Sequence, residues 1–349
     1  MPIFFLSYFL IYIENFCYIE YDKIEVEFMK RRSSIITIML VILVVVLVCI
    51  GAYFGITKLY EKKMAAQLQQ KIEENTISTD PLYALEDYPI VDASLATQPL
   101  TNAFIKNFTG QEVDESTLGY TNTHPAYVRL INDEVDLIVV TEPSQEELDL
   151  AKQKGVELEV IPVVKEGFVF YVNSENPIED LTSDQVQSIY SGEITNWKSV
   201  GGADAEIKPY QRPVNSGSQT GMLSLVMKDK PLMEPLKENL LQTMAQIINY
   251  VSSYDNGKDS IGYSYYYYAT TMFQTIDSTV ANNIKLLGIN GVKPNSQTIK
   301  DGTYPYTTAY YIVINKADGE DSPARKLANE MLSKRGQNVA KEAGYVPVN

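Results

Sequence analysis

The sequence predicts an α/β protein preceded by one transmembrane helix, and two observations lead to this prediction. Residues 35–57 contain no charged side chain, and a helix of that length spans about 34 Å, which is enough to cross a bilayer. From about residue 88 onward, short runs rich in β-branched residues alternate with helical patterns. Strands that alternate with helices are typical of α/β folds with largely parallel sheets.

The charge balance and the few histidine and cysteine residues exclude several classes of function. The chain has 349 residues, 29 of them basic and 44 acidic, with a net charge of −15. An acidic chain repels a polyanion, so we expect no nucleic acid as a partner. His124 is the single histidine, and Cys17 and Cys49 are the two cysteines. This inventory favours neither a metal site, nor a cofactor site, nor a disulfide framework.

Residues 35–57 are predicted to be an uncleaved signal anchor. A buried core helix is the alternative, but such a helix keeps a polar stripe that this stretch lacks. Cys49 follows three bulky apolar residues, whereas a lipoprotein signal needs a small residue before its cysteine. The basic triplet at 30–32 predicts that segment 1–34 is cytoplasmic, although basic residues also follow the span. We interpret residues 1–28 as an over-extended start, because an ordinary signal anchor begins directly after them.

The residues after the span divide into a stalk and an outer domain. Residues 58–84 begin with good helix formers and end near a helix-breaking Asp-Pro pair, which predicts a helical stalk. Residues 85–349 contain the alternating strands and helices and carry most of the acidic charge. With a cytoplasmic N-terminus, this single-pass protein places its outer domain on the extracytoplasmic side of the cell membrane.

The loops beyond the carboxyl ends of the strands are the candidate sites, because ligands of α/β sheets bind there. Ser94 and Thr97 lie between a strand and a helix whose first turn contains Pro99. They either cap this helix, which is the commoner role, or bind an anion at its N-terminus. The residues alone leave both roles open.

A turn at residues 212–218 precedes a helical pattern and contains both a positive charge and hydroxyl groups. Ser216, Gly217 and Ser218 can present several N–H groups and two hydroxyls to one oxyanion. Arg212 adds a bidentate donor. The same Ser-Gly-Ser sequence is equally typical of a flexible turn, although the nearby arginine strengthens the interpretation as an anion site.

Glu142 follows the predicted strand 135–140 and is the candidate acidic group. Ser144 and Glu147 form the pattern of a capping box, which predicts that another helix begins there. A carboxylate at the end of a strand is either simply solvated or placed to accept a proton from a ligand. The sequence alone favours the solvated carboxylate.

Several sequence blocks of the outer domain resemble a known family. Residues 189–202 read IYSGEITNWKSVGG, and the run KPYQRPVNSGSQTGM begins at Lys208. Further matches lie at 259–263, 303–316 and 344–347. Together they resemble the phosphate-binding proteins of ABC-type phosphate uptake systems, within the type II periplasmic-binding-protein superfamily. The resemblance covers residues 87–349.

The resemblance implies a two-lobed periplasmic-binding-protein clamshell that buries one dehydrated phosphate. Its first lobe comprises residues 85–163 and 265–349, and its second lobe comprises residues 164–264. The implied phosphate-binding residues are Ser94, Leu95, Thr123, Glu142, Arg212, Ser216, Gly217 and Ser218. Leu95 stands where many members have a hydroxyl residue, so only its N–H group can bind.

Glu142 stands where better-studied members of this family have an aspartate that accepts the proton of phosphate. Hydrogen phosphate has a proton to donate to this carboxylate. Sulfate has none, and it would face a second anion in a dry pocket. The resemblance therefore implies selectivity for phosphate over sulfate, with a geometry altered by the longer side chain.

The resemblance implies a membrane-anchored solute-binding protein rather than an enzyme. Such a protein presents inorganic phosphate to the permease subunits of an ABC transporter. An anchored sensor or scaffold with the same fold, binding another ligand or none, is the alternative. A third hypothesis, a phosphatase with Ser216 or Ser218 as its nucleophile, lacks a base or a metal cluster. We interpret His124, Trp197 and the tyrosine-rich run 263–268 as structural residues.

Overall fold

The computed structural model describes residues 31, 39–67, 80–112, 118–253 and 257–348. The predictions of a cytoplasmic segment and an over-extended start fall, apart from Arg31, outside the described residues, as does part of the predicted stalk. The helix at 39–67 and the region from residue 80 to residue 348 belong to separate compact units, and each is described by itself.

Helix α1 runs over Met39–Gln67 and is long and apolar enough to cross a membrane, by its length and composition. Its large apolar side chains are exposed, as Leu43 and Val48 are at 54% and 65%. The helix contains most of the predicted span and continues into the predicted stalk, where Lys, Gln and Ala are good helix formers. The free thiol of Cys49 is on this helix and is exposed.

The region 80–348 alternates strands and helices, as the sequence predicts. Its strands are β1 (Val91–Ala93), β2 (Leu137–Val140), β3 (Leu158–Asn173), β4 (Asp180–Leu181), β5 (Lys208–Pro209), β6 (Ser260–Tyr265), β7 (Ile284–Leu286), β8 (Gly288–Ile289), β9 (Thr307–Asn315) and β10 (Val346–Pro347). Its α-helices are α2 (Gln98–Thr109), α3 (Thr123–Ile131), α4 (Gln145–Lys154), α5 (Ser183–Tyr190), α6 (Gly217–Gly221), α7 (Met244–Ser252), α8 (Phe273–Ile276), α9 (Ser278–Ala281), α10 (Ser296–Lys300), α11 (Pro323–Leu332) and α12 (Lys334–Glu342). The π-helical segments are Met222–Met227 and Tyr268–Met272, and the short 3-10 turns are Leu85–Asp87, Trp197–Val200 and Lys237–Asn239.

Strand β3 joins the two halves of an eight-stranded sheet. The strand order is β1-β2-β9-β3-β6-β5, and β10 and β7 also pair with β3. Residues 158–167 of β3 pair with β9, whereas residues 168–172 pair with β6. We call the half around β9 the first lobe and the half around β6 the second lobe.

The sheet is mixed rather than largely parallel, which corrects the expectation drawn from alternating strands and helices. Among the described strands, β1 with β2, β5 with β6 and β4 with β8 are parallel pairs. Strand β3 runs antiparallel to β6, β7, β9 and β10. The reason is that β3 carries the chain into the second lobe and β6 runs back, so these neighbours have opposite directions. Because residues 80–348 form one compact unit, the residue bounds of the lobes stay a prediction.

Helices cover both faces of the first-lobe sheet, and β2 shows how its side chains divide between them. Ile138 and Val140 pack with Ala126 of α3 in one apolar cluster, while Leu137 and Val139 belong to the larger core. Alternate side chains of a strand point to opposite faces. With both faces buried, the strand reads in the sequence as an uninterrupted apolar run.

The aromatic residues of the second lobe form its core. Tyr263 and Tyr265 of β6 are buried against Phe168 of β3, with ring centroids 5.4 and 5.6 Å from that of Phe168. Trp197 is 1% exposed, and its Nε1 donates to the carbonyl oxygen of Asp259 at 2.9 Å. These contacts confirm the structural role predicted for Trp197, and they place Tyr263 and Tyr265 of the tyrosine-rich run in the core.

Candidate functional site

A cavity of about 320 Å³ is lined by residues of both lobes. The turn before α2, the end of β2 and the N-terminus of α3 form its first-lobe side, and the loop before α6 forms its second-lobe side. Most of the predicted site residues line it, namely Ser94, Leu95, Thr123, Arg212, Ser216, Gly217 and Ser218. The remaining one, Glu142, is not among the lining residues.

The turn between β1 and α2 contributes unpaired N–H groups. The Ser94 N–H donates to the carbonyl oxygen of Val139 at 3.2 Å, which fixes the turn on β2. In the described part of the chain, the N–H groups of Leu95 and Ala96 have no hydrogen-bond partner, and both residues line the cavity. Thr97 forms no side-chain cap on α2, because its hydroxyl lies 2.9 Å from the Ser94 hydroxyl and bonds there instead. Thr97 therefore does not have the helix-capping role, which was the commoner of the two roles considered for it.

Thr123 is the first residue of α3 and is 7% exposed. Asn122 precedes it in an extended conformation and makes no side-chain cap. The first N–H groups of a helix have no intrahelical partner, so those of Thr123 and His124 are available to a ligand in the cavity. The Thr123 hydroxyl adds a further donor on the same side.

Arg212 brings a positive charge to the cavity without a counter-ion. Its Nη1 donates to Ser218 Oγ at 3.3 Å and its Nη2 donates to the carbonyl oxygen of Gln242 at 2.8 Å. Its Nε is buried and has no partner among the described residues, and no described carboxylate pairs with it. By contrast, Arg129 and Arg325 each pair with a carboxylate. Burial lowers the pKa of the Arg212 guanidinium, yet an arginine keeps its charge in a protein.

Helix α6 presents its N-terminus to the cavity. Ser216 is the capping residue, and its Oγ accepts a hydrogen bond from the Gln219 N–H at 3.3 Å. The N–H groups of Gly217 and Ser218 come before the first intrahelical bond and have no intrahelical partner. Ser218 is 3% exposed, and its hydroxyl accepts the bond from Arg212, so its own proton remains available for donation.

Gly217 lies at a point where the two lobes come close together. A Cβ atom at this position would lie 2.7 Å from Thr123 Oγ1 and closer still to Thr141 Oγ1. The Tyr265 hydroxyl donates to the carbonyl oxygen of Gly217 at 2.9 Å and holds the backbone in place. The missing side chain therefore allows the N-terminus of α6 to face the first lobe directly.

Glu142 lies outside the cavity and contacts the second lobe. Its carboxylate accepts a hydrogen bond from the Ser224 hydroxyl of the π-helical segment that follows α6. Burial raises the pKa of Glu142, and the bond from Ser224 opposes this rise. Nearby, Glu146 accepts a bond from the Asn215 side chain in the same way. The structure thus places Glu142 at a contact between the lobes, and its role as an acceptor of a ligand proton stays a prediction.

Thr141, the residue before Glu142, lines the cavity. Side chains alternate along a strand, so Thr141 continues the face of Val139 and Glu142 continues the face of Val140. Thr141 is 2% exposed, and its Oγ1 has no hydrogen-bond partner in the described chain. Sequence reasoning missed this residue, because the apolar run of β2 carries no alternation that assigns the following side chains to one face.

His124 also lines the cavity, which its predicted role as a structural residue did not include. Its Nδ1 lies 3.0 Å from Glu147 Oε1, and the Glu147 side chain is 1% exposed. Glu147 accepts a further bond from the Ser144 N–H at 2.7 Å, which completes the predicted capping box of α4. Burial raises the pKa of Glu147, while its bonds to Ser144 and His124 oppose the rise.

The donors in the cavity suit an anion. They are backbone N–H groups, hydroxyls and one guanidinium, which together bind oxyanions through directed hydrogen bonds. None of the described residues that line the cavity is an aspartate or a glutamate. In the described chain no group of three His, Cys, Asp or Glu side chains could hold a metal ion.

Comparisons with known proteins identify the family of the outer domain. Residues 90–335 match the profile of a PBP superfamily domain. The phosphate-binding protein PstS of Bacillus subtilis (strain 168) is 26% identical over 271 residues, which cover 74% of this chain and 80% of that protein. These matches confirm the predicted family resemblance over the outer domain.

Two solved structures share the fold. One from Clostridium perfringens, described as a phosphate ABC transporter substrate-binding protein with bound phosphate, has a TM-score of 0.57 at 19% identity and covers 74% of this chain and 98% of that one. An ABC-type phosphate transport receptor from Vibrio cholerae has a TM-score of 0.54 at 18% identity and covers 73% of this chain and 98% of that one. At such low identity the likeness concerns the fold, and it confirms the predicted α/β clamshell.

Proposed function

The chain belongs to the PBP superfamily, and we propose that it is a membrane-anchored extracytoplasmic protein that binds inorganic phosphate for an ABC importer. Relatives that the chain matches are named as phosphate-binding proteins, and we therefore propose a binding protein rather than an enzyme. One observation carries the proposal. The Arg212 guanidinium has no described counter-ion and faces a cavity lined by N–H and hydroxyl donors.

The donor set favours a small, dehydrated oxyanion. Unpaired N–H groups come from three separate chain segments, at Leu95 and Ala96, at Thr123, and at Gly217 and Ser218. Such groups act over short distances, whereas the acidic surface is screened beyond about 8 Å at physiological salt. The net charge of −15 therefore does not oppose anion binding in the cavity.

The proposed transport role is supported by the relatives. The Bacillus subtilis protein is named a phosphate-binding protein, and the Vibrio cholerae structure is named an ABC-type phosphate transport receptor. We extend this to the present chain because its cavity carries the matching donors. On this proposal the permease subunits of an ABC transporter receive the bound phosphate.

The proposed anchor is helix α1. Its exposed apolar side chains suit a lipid environment, since an aqueous surface would leave them unburied. With the basic triplet at 30–32 on the cytoplasmic side, the binding domain lies outside the membrane. A tether of this kind keeps the binding protein close to its permease.

An anchored sensor or scaffold with the same fold is the second candidate. The observation that favours it is the displacement of Glu142 from the cavity, because the predicted selectivity depended on that carboxylate. Phosphate uptake by cells that lack this protein separates the two functions. The importer role predicts a lower uptake rate at limiting phosphate, whereas a sensor alters the response to starvation and leaves the rate of uptake per transporter unchanged.

The direct test is a calorimetric titration of the full chain in detergent with inorganic phosphate, after refolding to remove carried ligand. We expect saturable binding at one site. Arg212→Ala leaves the anion without its charged donor and should lose on the order of 2 to 5 kcal/mol of binding free energy. Arg325→Ala is the matched control, because Arg325 pairs with Glu159 and does not line the cavity. If the Arg212→Ala variant and the wild type bind phosphate with equal affinity, Arg212 is not part of the site and the proposed function is wrong.

A further inference from the structure

We propose that Thr141 makes this site accept tetrahedral dianions with or without a proton, so that it binds sulfate as well as hydrogen phosphate. The inference rests on the proposed function, because it concerns the ligand class of the same cavity. It replaces the selectivity implied by the family resemblance, which depended on a carboxylate that the structure places elsewhere.

Thr141 is built into the site as a hydroxyl that lacks a partner. It is 2% exposed, and its Oγ1 is buried beside the Tyr265 hydroxyl, which donates to the carbonyl oxygen of Gly217 and leaves Thr141 Oγ1 without a hydrogen bond of ordinary length among the described residues. Its backbone is fixed, since the Tyr127 hydroxyl donates to its carbonyl oxygen at 2.8 Å. Buried polar groups are nearly always satisfied, so an orphan hydroxyl that lines a cavity points to a ligand atom as its partner.

A hydroxyl and a carboxylate treat the two anions differently. A carboxylate only accepts hydrogen bonds and carries a negative charge. It therefore accepts a hydrogen bond from hydrogen phosphate and repels sulfate. A threonine hydroxyl both donates and accepts. It can therefore accept a hydrogen bond from the P–O–H group of hydrogen phosphate or donate one to a sulfate oxygen, and neither anion is rejected.

The carboxylates nearest to the cavity are engaged outside it. Glu142 accepts from Ser224, and Glu146 accepts from Asn215. Glu147 accepts from the Ser144 N–H and lies behind His124. No carboxylate of the described chain lines the cavity, so a sulfate ion held there would meet no anionic side chain.

The other polar side chains of the cavity do not restore the discrimination. His124 can accept a proton when neutral and donate one when charged, and the amides of Asn122, Asn215 and Gln242 both donate and accept. Arg212 and the unpaired N–H groups only donate, and they serve either dianion equally. The remaining difference between phosphate and sulfate is their proton, for which this cavity provides no fixed acceptor.

The test compares phosphate and sulfate in calorimetric titrations of the full chain and of two variants. For the wild type we expect both anions to bind at one site, with dissociation constants within about tenfold of each other. Thr141→Asp introduces the missing carboxylate and should weaken sulfate by about 100-fold or more relative to phosphate. Thr141→Asn, which has nearly the same shape as the aspartate variant but no charge, should keep the two anions within about tenfold.

Each outcome separates this inference from the proposed function. Tight phosphate binding by the wild type without sulfate binding overturns the inference and leaves the proposed function standing. Sulfate binding without phosphate binding supports the ligand class and overturns phosphate as the ligand. Binding of neither anion overturns both. If Thr141→Asp fails to fold by circular dichroism, the wild-type comparison still decides, because it does not depend on the variant.

Discussion

Gly217 and the two threonines opposite it bring the two lobes close together at the cavity. The N-terminus of α6 can face the first lobe because no side chain stands between Gly217 and the hydroxyls of Thr123 and Thr141. The same approach brings the Ser216 cap and the Arg212 guanidinium beside the first-lobe N–H groups. Single residues thus set both the width of the site and its charge.

Replacing Gly217 tests whether this close approach is needed for binding. In Gly217→Ala the new methyl group meets Thr123 and Thr141, so the lobes must separate around the ligand. We expect phosphate affinity to fall by about 5- to 100-fold, which is the range of a forced overpacking. Gly319→Ala is the control, since a Cβ at Gly319 meets nothing within 4 Å. Calorimetry measures the affinities, and equal losses in both variants would contradict the assignment.

Glu142 provides a second test at this scale. Its carboxylate contacts Ser224 and does not line the cavity, so it has no ligand proton to accept in this arrangement. We therefore expect Glu142→Gln to change phosphate affinity by less than about threefold, as for other partly exposed polar contacts. A titration measures this. A large loss of phosphate affinity together with a gain of sulfate binding would restore the role that the sequence predicted for this residue.

At the scale of elements, the chain crosses between the lobes in two segments, β3 and the residues after β6. We call these two segments the passages. Glu166 lies on β3 beside the point where its partner changes from β9 to β6, and it is 2% exposed. Its Oε1 accepts from the N–H groups of Gly167 at 2.8 Å and of Tyr267 at 3.2 Å. One buried carboxyl group therefore connects the two passages.

This carboxyl group makes stability depend on pH. Burial raises the pKa of Glu166 from 4.5 to about 8, so the folded protein favours the protonated form. Its contribution to stability is complete below pH 4.5 and is lost as the pH rises to about 8. Glu166→Gln keeps the shape without ionising. We expect its melting temperature, relative to that of the wild type, to rise with pH across this window.

Thermal unfolding followed by circular dichroism between pH 5 and pH 8 measures this difference. The control is Glu86→Gln at an exposed position of the same unit. A constant offset between Glu166→Gln and the wild type over the whole range would show that Glu166 does not ionise within it.

At the scale of the whole molecule, the anchor and the binding region are separate units. Helix α1 exposes its apolar side chains, whereas the region 80–348 has its own continuous apolar core. All residues that line the cavity belong to the second of these units. The described lining of the cavity is therefore independent of helix α1.

Removing the first 79 residues tests this independence. We expect the shortened chain to fold by itself and to bind phosphate within about twofold of the full chain, because compact domains keep their own core. In cells, the full chain should sediment with the membrane and the shortened chain, secreted by a cleavable signal, should not. Membrane association of the shortened chain would show that α1 is not the anchor.

Much of the site could be predicted from the sequence because it depends on residue types in local motifs. Short stretches of sequence are enough to recognise these features. They are the hydroxyls and glycine at 216–218 with the nearby Arg212, and the capping box at Ser144. The long uncharged stretch that forms most of α1 is equally local. Such features need no knowledge of which segments meet in space.

The exchange of Thr141 for Glu142 in the cavity could not be predicted in this way. Residues 137–140 are all apolar because both faces of β2 are buried, so the sequence carries no alternation that shows which side chain points to which face. A shift of one residue reverses every assignment beyond the strand. For the same reason the sequence placed Glu142 at the end of a strand but could not show whether its side chain points into the cavity.

The sequence by itself determined the long apolar helix, the α/β class and the set of candidate anion donors, since these follow from composition and short-range spacing. The tertiary structure alone decided the antiparallel crossing of β3 and β6, the close approach at Gly217 and the absence of a carboxylate from the described cavity lining. These depend on contacts between residues far apart in the chain. The direction of a side chain at such a contact is fixed only when the strands and helices pack together.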